Sequence, residues 1–165
     1  MPEIHNSVQM QESVETSFAF LARTLPEAMQ SLAKPQVIAC DYEARTLELA
    51  FEIQHWMRNP KDILHGGLAA MLLDSTMGIL SRCFARGEGI TPTVAMEVSY
   101  LLPIPVGTRL HIRARAAQAG RAINNILAEG WVEGAPGKLV VTASGAFYAA
   151  GAADGAAQQA SAGLR

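Results

Sequence analysis

The run from Leu64 to Leu80 limits what this chain can fold into more than any other. It is a stretch of Leu, Ala, Met and Ile that opens with His65-Gly66-Gly67 and carries one carboxylate, Asp74. Good helix formers continue with apolar or small residues on every side, the pattern of a helix buried all round. Asp is a mediocre helix former, and an ionised carboxylate is costly to bury without partners. Asp74 therefore either faces a polar partner or solvent, or it serves a reaction. A helix starting at Gly66-Gly67 leaves its first N–H groups unpaired and carries partial positive charge at that end, which suits an anion or a developing oxyanion. Glycine there lets a ligand approach the backbone, although a Gly-Gly pair alone more commonly relieves a tight turn.

Upstream, residues 1–9 read as frayed. Val14, Phe18, Leu21 and Leu25 recur at helical spacing and Met29 and Leu32 continue the pattern beyond Pro26. Two short helices follow from this, interrupted at Pro26 and ended before Pro35, forming an N-terminal helical cap over residues 1–35. From Val37 the period changes to two. Leu47, Leu49, Phe51 and Ile53 alternate with Thr46, Glu48, Ala50 and Glu52, predicting a half-buried strand over 46–54 paired with 36–40 through the Asp41–Arg45 turn.

After the central helix a turn is expected at Arg86-Gly87-Glu88-Gly89, then strands over 92–101, 108–118, 122–132 and 138–148. Val94, Met96, Val98 and Tyr100 share one face of the first, and Leu110, Ile112, Ala114 and Ala116 one face of the second. The fold class is α+β, an antiparallel sheet wrapped around a long central helix within residues 36–149. Residues 150–165, rich in Ala, Gly, Gln and Ser without periodicity, read as a disordered tail.

Composition removes several functions. A length of 165 residues suits one domain, and a net charge of -2 with no Lys/Arg run offers no field for nucleic acid or anionic lipid. No apolar run reaches membrane-spanning length, and Glu3, Glu12 and Glu15 lie where a signal peptide would be basic, so a cytoplasmic protein is expected. Cys40 and Cys83 read as small apolar residues of a reducing compartment. None of His5, His55, His65 and His111 lies three or four residues from another, so a helical metal pair is absent, and no G-x-S-x-G elbow marks a nucleophilic serine. No metal or cofactor is expected.

The pattern Asn59-x5-His65-Gly66-Gly67-x6-Asp74, followed by the extended run Thr93–Tyr100 and then Pro103 and Gly107, resembles the hotdog-fold acyl-CoA thioesterases. Within them it is similar to the PaaI-like, phenylacetate-pathway branch of the 4-hydroxybenzoyl-CoA thioesterase superfamily. The resemblance implies a hotdog domain that dimerises edge to edge, the dimers often pairing again. It also implies roles. The Gly66 N–H polarises the thioester carbonyl, with Gly67 beside it against the substrate, and Asp74 attacks the carbonyl or activates a water. Thr93 stands where relatives often carry a Ser that orients the water or carboxylate, and Asn59 holds water or the thioester. Thr at 93, and Ala95 where some relatives are acidic, are departures. His65 is expected to brace the loop entering the helix more than to act as a base.

An acyl-CoA substrate would need cations for its phosphates, for which Arg121, Arg86 and Lys138 are candidates, though each also reads as a solvated loop charge. The acyl group would be aryl or medium-chain. Two other readings share the fold: an acyl-CoA hydratase or dehydratase, which would call on a catalytic His, and a non-catalytic acyl-CoA-binding protein.

Overall fold

A computed structural model of the protein describes residues 4–85 and 90–150. Helices α1 (Ser7–Thr24) and α2 (Met29–Leu32) precede strands β1 (Gln36–Asp41) and β2 (Thr46–Glu52) and a 3-10 turn at His55–Met57. The long helix α3 (Gly66–Cys83) follows, and then β3 (Thr93–Tyr100), β4 (Arg109–Ala119), β5 (Ile123–Val132) and β6 (Leu139–Tyr148). The strands form one six-stranded sheet in the order β1-β2-β4-β5-β6-β3, and every pairing is antiparallel. Strands β4, β5 and β6 are joined in sequence, while β3 lies beyond β6 as an edge strand. Its outer backbone groups are unpaired in the single chain.

Helix α3 lies against the concave face of this sheet. Leu72, Leu73, Met77 and Leu80 meet Leu47, Leu49, Phe51, Ile112 and Phe147 in a core that also takes in Met10 and Val14 of α1. The close approach of helix and sheet depends on Gly145, where a Cβ would come within 2.8 Å of the Phe147 ring and 3.4 Å of the Met77 side chain. At the far end of α3, the buried Asn124 amide of β5 donates to the Ser81 carbonyl at 3.0 Å and to the Ser81 hydroxyl at 3.1 Å, so this buried polar pair is satisfied.

The structure departs from the sequence reading in four places. Helix α1 begins at Ser7, inside the stretch expected to be frayed, because the Asn6 side chain accepts the Gln9 N–H at 3.0 Å and caps the helix. The strand expected to be half-buried is covered on both faces. Leu47, Leu49 and Phe51 fill the core, and on the other side Glu48 is only 7% exposed, held by Arg113 Nη2 at 2.7 Å and His111 Nδ1 at 2.9 Å. Helix α3 is not buried all round. Its core side is closed, but Gly67 is exposed and Ala70, Met71, Asp74, Ser75 and Gly78 are half-buried along a second face. Finally, Val94 is exposed instead of joining Met96 and Val98 against the core, because a bulge between Thr93 and Ala95 interrupts the alternation of β3, while Tyr100 keeps the helix-facing side but is exposed at the strand's end. The turn expected at Arg86–Gly89 lies outside the described residues, as do residues 151–165 of the expected tail.

Candidate active site

The loop entering α3 is folded by its own polar groups. The Asn59 Oδ1 accepts the Lys61 N–H at 2.8 Å and the Ile63 N–H at 3.5 Å, an Asx-type turn that closes with the Asn59 N–H on the Ile63 carbonyl at 2.8 Å. Leu64 then anchors on the Ile104 carbonyl and His65 on the Met57 carbonyl, both at 2.8 Å. The His65 Nδ1 accepts the Gly67 N–H at 3.0 Å, so this ring caps the helix and occupies the Gly67 N–H expected to face substrate. Gly66, the first helical residue, has no carbonyl one turn earlier in the helix to receive its N–H. Among the described residues no hydrogen bond takes that N–H. Its carbonyl accepts the Tyr100 hydroxyl at 2.9 Å, and the Tyr100 ring lies 3.5 Å from where a Gly66 Cβ would stand.

Two turns further along α3, Asp74 is half-buried on the face turned away from the core. Its Oδ1 accepts the Thr93 hydroxyl at 2.6 Å. Unbroken alternation would turn Thr93 to the outer side of the sheet. Between Thr93 and Ala95, however, β3 advances two residues while β6 advances one, pairing Thr93 with Phe147 and Ala95 with Ala146. The extra residue, Val94, re-aims Thr93 toward the helix.

The two clusters are separate within one chain. Eight residues of helix place Gly66 and Asp74 about 12 Å apart along the axis. The sheet register extends this division. Thr93 pairs with Phe147, which pairs with Asn124 near the β4–β5 turn that bears Arg121. Tyr100 pairs with Val141, which pairs with Gly130 toward the β5–β6 turn that bears Lys138. The ten residues of β5 put these turns roughly 30 Å apart, so Arg121 and Lys138, both exposed, do not converge in one chain. Arg86 lies outside the described residues.

The thiols are free and withdrawn from this site. Burial pushes Cys83 from 9.0 up to about 12, and burial with the nearby Glu15 charge pushes Cys40 up to about 11. Among the described residues no group of three or more His, Cys, Asp or Glu side chains is arranged to hold a metal ion, and no helix there is long and apolar enough to cross a membrane.

The thioesterase superfamily profile matches residues 61–136, the span from the α3 entry loop through the β5–β6 turn. Over that span, somewhat under half of its length, the chain is similar to the thioesterase superfamily. Over 93 residues it is 31% identical to acyl-coenzyme A thioesterase 13 of Mus musculus, covering 56% of this chain and 64% of that one. Over 71 residues it is 37% identical to a Caenorhabditis elegans protein described as a candidate esterase, covering 43% of this chain and 41% of that one. The chain thus spans less than two thirds of the length of both curated relatives. A crystal structure from Ralstonia eutropha, described as a phenylacetic acid degradation-related protein and candidate thioesterase, superposes with a TM-score of 0.67 at 26% identity, over 79% of this chain and 98% of that one.

The curved sheet around α3 is therefore the hotdog fold of this superfamily. Of the site residues expected from the sequence, the fold brings Thr93 to Asp74 and His65 to Gly67, and it keeps Asn59 within its own turn. Tyr100 was assigned no role by sequence reasoning. A single Tyr closing a strand looks like any other strand aromatic, and only the fold shows its hydroxyl fixing the start of α3.

Proposed function

We propose that this protein hydrolyses acyl-CoA thioesters to the free acid and CoA. The observation that carries the reading is the Asp74 carboxylate on the half-open face of α3, held by the Thr93 hydroxyl at 2.6 Å. A carboxylate so fixed can take a proton from water as the water attacks the thioester carbonyl, or can attack the carbonyl itself. In either route the C–S bond breaks and the CoA sulfur leaves as thiolate and takes up a proton. The first route gives the carboxylic acid directly; in the second a water then hydrolyses the anhydride of the acyl group with Asp74 to the carboxylic acid and restores the Asp74 carboxylate. The free Gly66 N–H at the positive end of α3 is suited to the oxyanion formed on the way. The chemistry calls for no metal or cofactor.

Reacting atoms must come within about 3 to 3.5 Å, and Gly66 and Asp74 of one helix cannot both do so. A two-fold pairing along the open edge of β3, with the α3 helices antiparallel, supports a composite site. Asn59 and Gly66 of one subunit would then meet Asp74 and Thr93 of its partner, twice per dimer. The same operation brings Lys138 of one subunit to the end of the joined sheet that carries Arg121 of the other, two cations for the CoA phosphates. In this reading residues 1–35 cap a thioesterase domain of residues 36–149, in a cytoplasmic enzyme.

The hydratase reading finds less support, since the His65 Nδ1 is already committed to the Gly67 N–H. The relatives' names, an acyl-coenzyme A thioesterase and a phenylacetic acid degradation-related protein, support CoA thioesters as the substrate class. The test is thiol release from a panel of acyl-CoAs, run beside an assay for enoyl-CoA hydration. Hydrolysis is expected, with Asp74→Asn lowering kcat by about two to four decades while the fold is kept. Hydration without hydrolysis, or an Asp74→Asn variant with unchanged kcat, overturns the proposal.

A further inference from the structure

The end of β3 and the loop entering α3 are tied together before either reaches the helix. The Leu64 N–H donates to the Ile104 carbonyl at 2.8 Å, Ile63 pairs with Pro105, and the Leu101 N–H donates to the Val140 carbonyl of β6 at 2.9 Å. Tyr100, the last residue of β3, is delivered by that frame to the first turn of α3. Its hydroxyl donates to the Gly66 carbonyl at 2.9 Å. The other half of the same peptide unit, the Gly67 N–H, donates to His65 Nδ1 at 3.0 Å. The Gly66–Gly67 peptide plane is thus held by a side chain at each end, one from β3 and one from its own loop. An α-helix alone holds a first-turn peptide at its carbonyl only, because the first N–H groups have no partner within the helix. A plane between two glycines is also the least restrained of all, since neither residue has a Cβ to limit its rotation.

We infer that Tyr100 is a positioning residue for the oxyanion donor, and that it acts by keeping the Gly66–Gly67 peptide from turning over. The inference rests on the thioesterase reading above, in which the Gly66 N–H receives the oxyanion. The N–H groups of a first turn all point out of the same end of the helix. Turning the Gly66–Gly67 plane over would therefore swing the Gly66 carbonyl to that end, beside the Gly66 N–H. It would set a partial negative charge where the negative charge of the reaction develops. The Tyr100 hydroxyl opposes this directly, because it bonds the carbonyl in its helical orientation. A second hydroxyl of the same strand reaches α3, since Thr93, the first residue of β3, holds Asp74. One edge strand therefore fixes the donor through Tyr100 and the carboxylate through Thr93. A composite site draws on Tyr100 of one subunit and Thr93 of its partner.

Tyr100→Phe tests this on the full-length protein, because it removes the hydroxyl and keeps the ring beside Gly66. Tyr100 is 56% exposed at a strand end, so the variant should fold, with a melting temperature within about 2 to 4 °C of wild type. On acyl-CoA, kcat is expected to fall about three- to tenfold, the scale of one neutral hydrogen bond. KM should be unchanged, since the oxyanion exists only on the way to product. In nitrogen relaxation NMR, the order parameters of Gly66 and Gly67 should drop from about 0.85, the value of rigid backbone, while the rest of α3 keeps its own. In a Gly66→Ala background, where the donor is already crowded, the same substitution should cost less than about twofold. An unchanged kcat, a loss that appears in KM instead, an equal loss in both backgrounds, or wild-type order parameters at the two glycines overturns the inference and leaves the thioesterase reading standing. A wild type that hydrolyses no acyl-CoA overturns that reading instead. In that case, lowered order parameters at Gly66 and Gly67 in Tyr100→Phe uphold the clamp on this peptide, and unchanged ones overturn it as well.

Discussion

The Thr93 hydroxyl donates to the Asp74 carboxylate across 2.6 Å, and a one-residue bulge in an edge strand makes that contact possible. Without Val94 as the extra residue, Thr93 would face away from α3. The bulge is thus a positioning device: it costs local pairing at the sheet edge and gives the helix carboxylate a fixed partner.

Loss of that partner should register in turnover before it registers in stability. A hydrogen bond to a charged acceptor contributes about 1.5 to 3 kcal/mol, so Thr93→Val is expected to lower kcat by about one to two decades. Thr93→Ser keeps the hydroxyl and is expected to retain most of the activity. Steady-state kinetics on both variants, with thermal melts alongside, separate this from a packing effect. Equal kcat in Thr93→Val and wild type would assign the contact to structure alone.

Gly66 offers a sharper separation of fold from function. A Cβ there would meet the Tyr100 ring at 3.5 Å, ordinary van der Waals contact, and Gly66 is absent from the positive-φ glycines. Alanine also lowers the entropy of the unfolded chain, stabilising by about 0.4 to 1 kcal/mol where the backbone permits. Gly66→Ala should therefore melt at the same temperature or slightly higher. Its methyl group would crowd the N–H offered to the oxyanion, and kcat/KM should fall about tenfold or more, within the range for a disturbed oxyanion donor. A melting temperature well below wild type would show instead that the glycine serves the turn.

Much of this architecture is legible in the sequence, because burial imposes periods. The alternation of Leu110, Ile112, Ala114 and Ala116 is borne out as one buried face of β4, and the Leu/Ala/Met run as α3. What escapes is set by tertiary contact. Nothing local to Thr93-Val94-Ala95 announces a bulge, since Val94 suits a regular strand as well as it suits an irregular one. Glu48 reads as a solvent-facing strand residue until β4 places His111 and Arg113 over it. The open face of α3 is hidden for a related reason. Gly67, Ala70, Met71 and Gly78 look like core residues, yet in one chain Gly67 is exposed and the other three are only half-buried. Chemistry was readable where a residue type was out of place, as with Asp74 among leucines. It was not readable where the type was ordinary, as with Tyr100.

The thiols predict an alkaline limit to stability. The folded state holds the Cys40 and Cys83 protons up to about 11 and about 12, while an unfolded chain releases them near 9.0. Between these values the folded protein binds more protons than the unfolded one, so stability falls as pH rises above 9 and levels off once the folded-state thiols ionise. Below pH 9 both states are protonated and the thiols contribute no slope. Melting temperatures measured from pH 8 to 11 should decline less steeply in Cys83→Ala than in wild type. In the native protein both thiols should also react slowly with a disulfide reagent at pH 8, since the thiolate is the nucleophile. Fast native-state labelling would contradict the burial of these groups.

The composite site leads to an all-or-none mixing experiment. Asn59→Ala and Asp74→Ala should each be inactive alone, because every site in either homodimer lacks one contribution. Unfolded together and refolded, the two chains pair at random, and half of the dimers are mixed. In a mixed dimer the site made from Asn59 of one subunit and Asp74 of the other is either intact on both sides or defective on both. Each mixed dimer therefore carries one working site of its two, and an equal mixture should recover about one quarter of wild-type activity if both variants fold and assemble normally. A site built within one chain gives the opposite result. Every site would then lack either Asn59 or Asp74 whatever the pairing, and the refolded mixture would be as inactive as its components. The separation of about 12 Å between Gly66 and Asp74 along one helix is the reason to expect recovery.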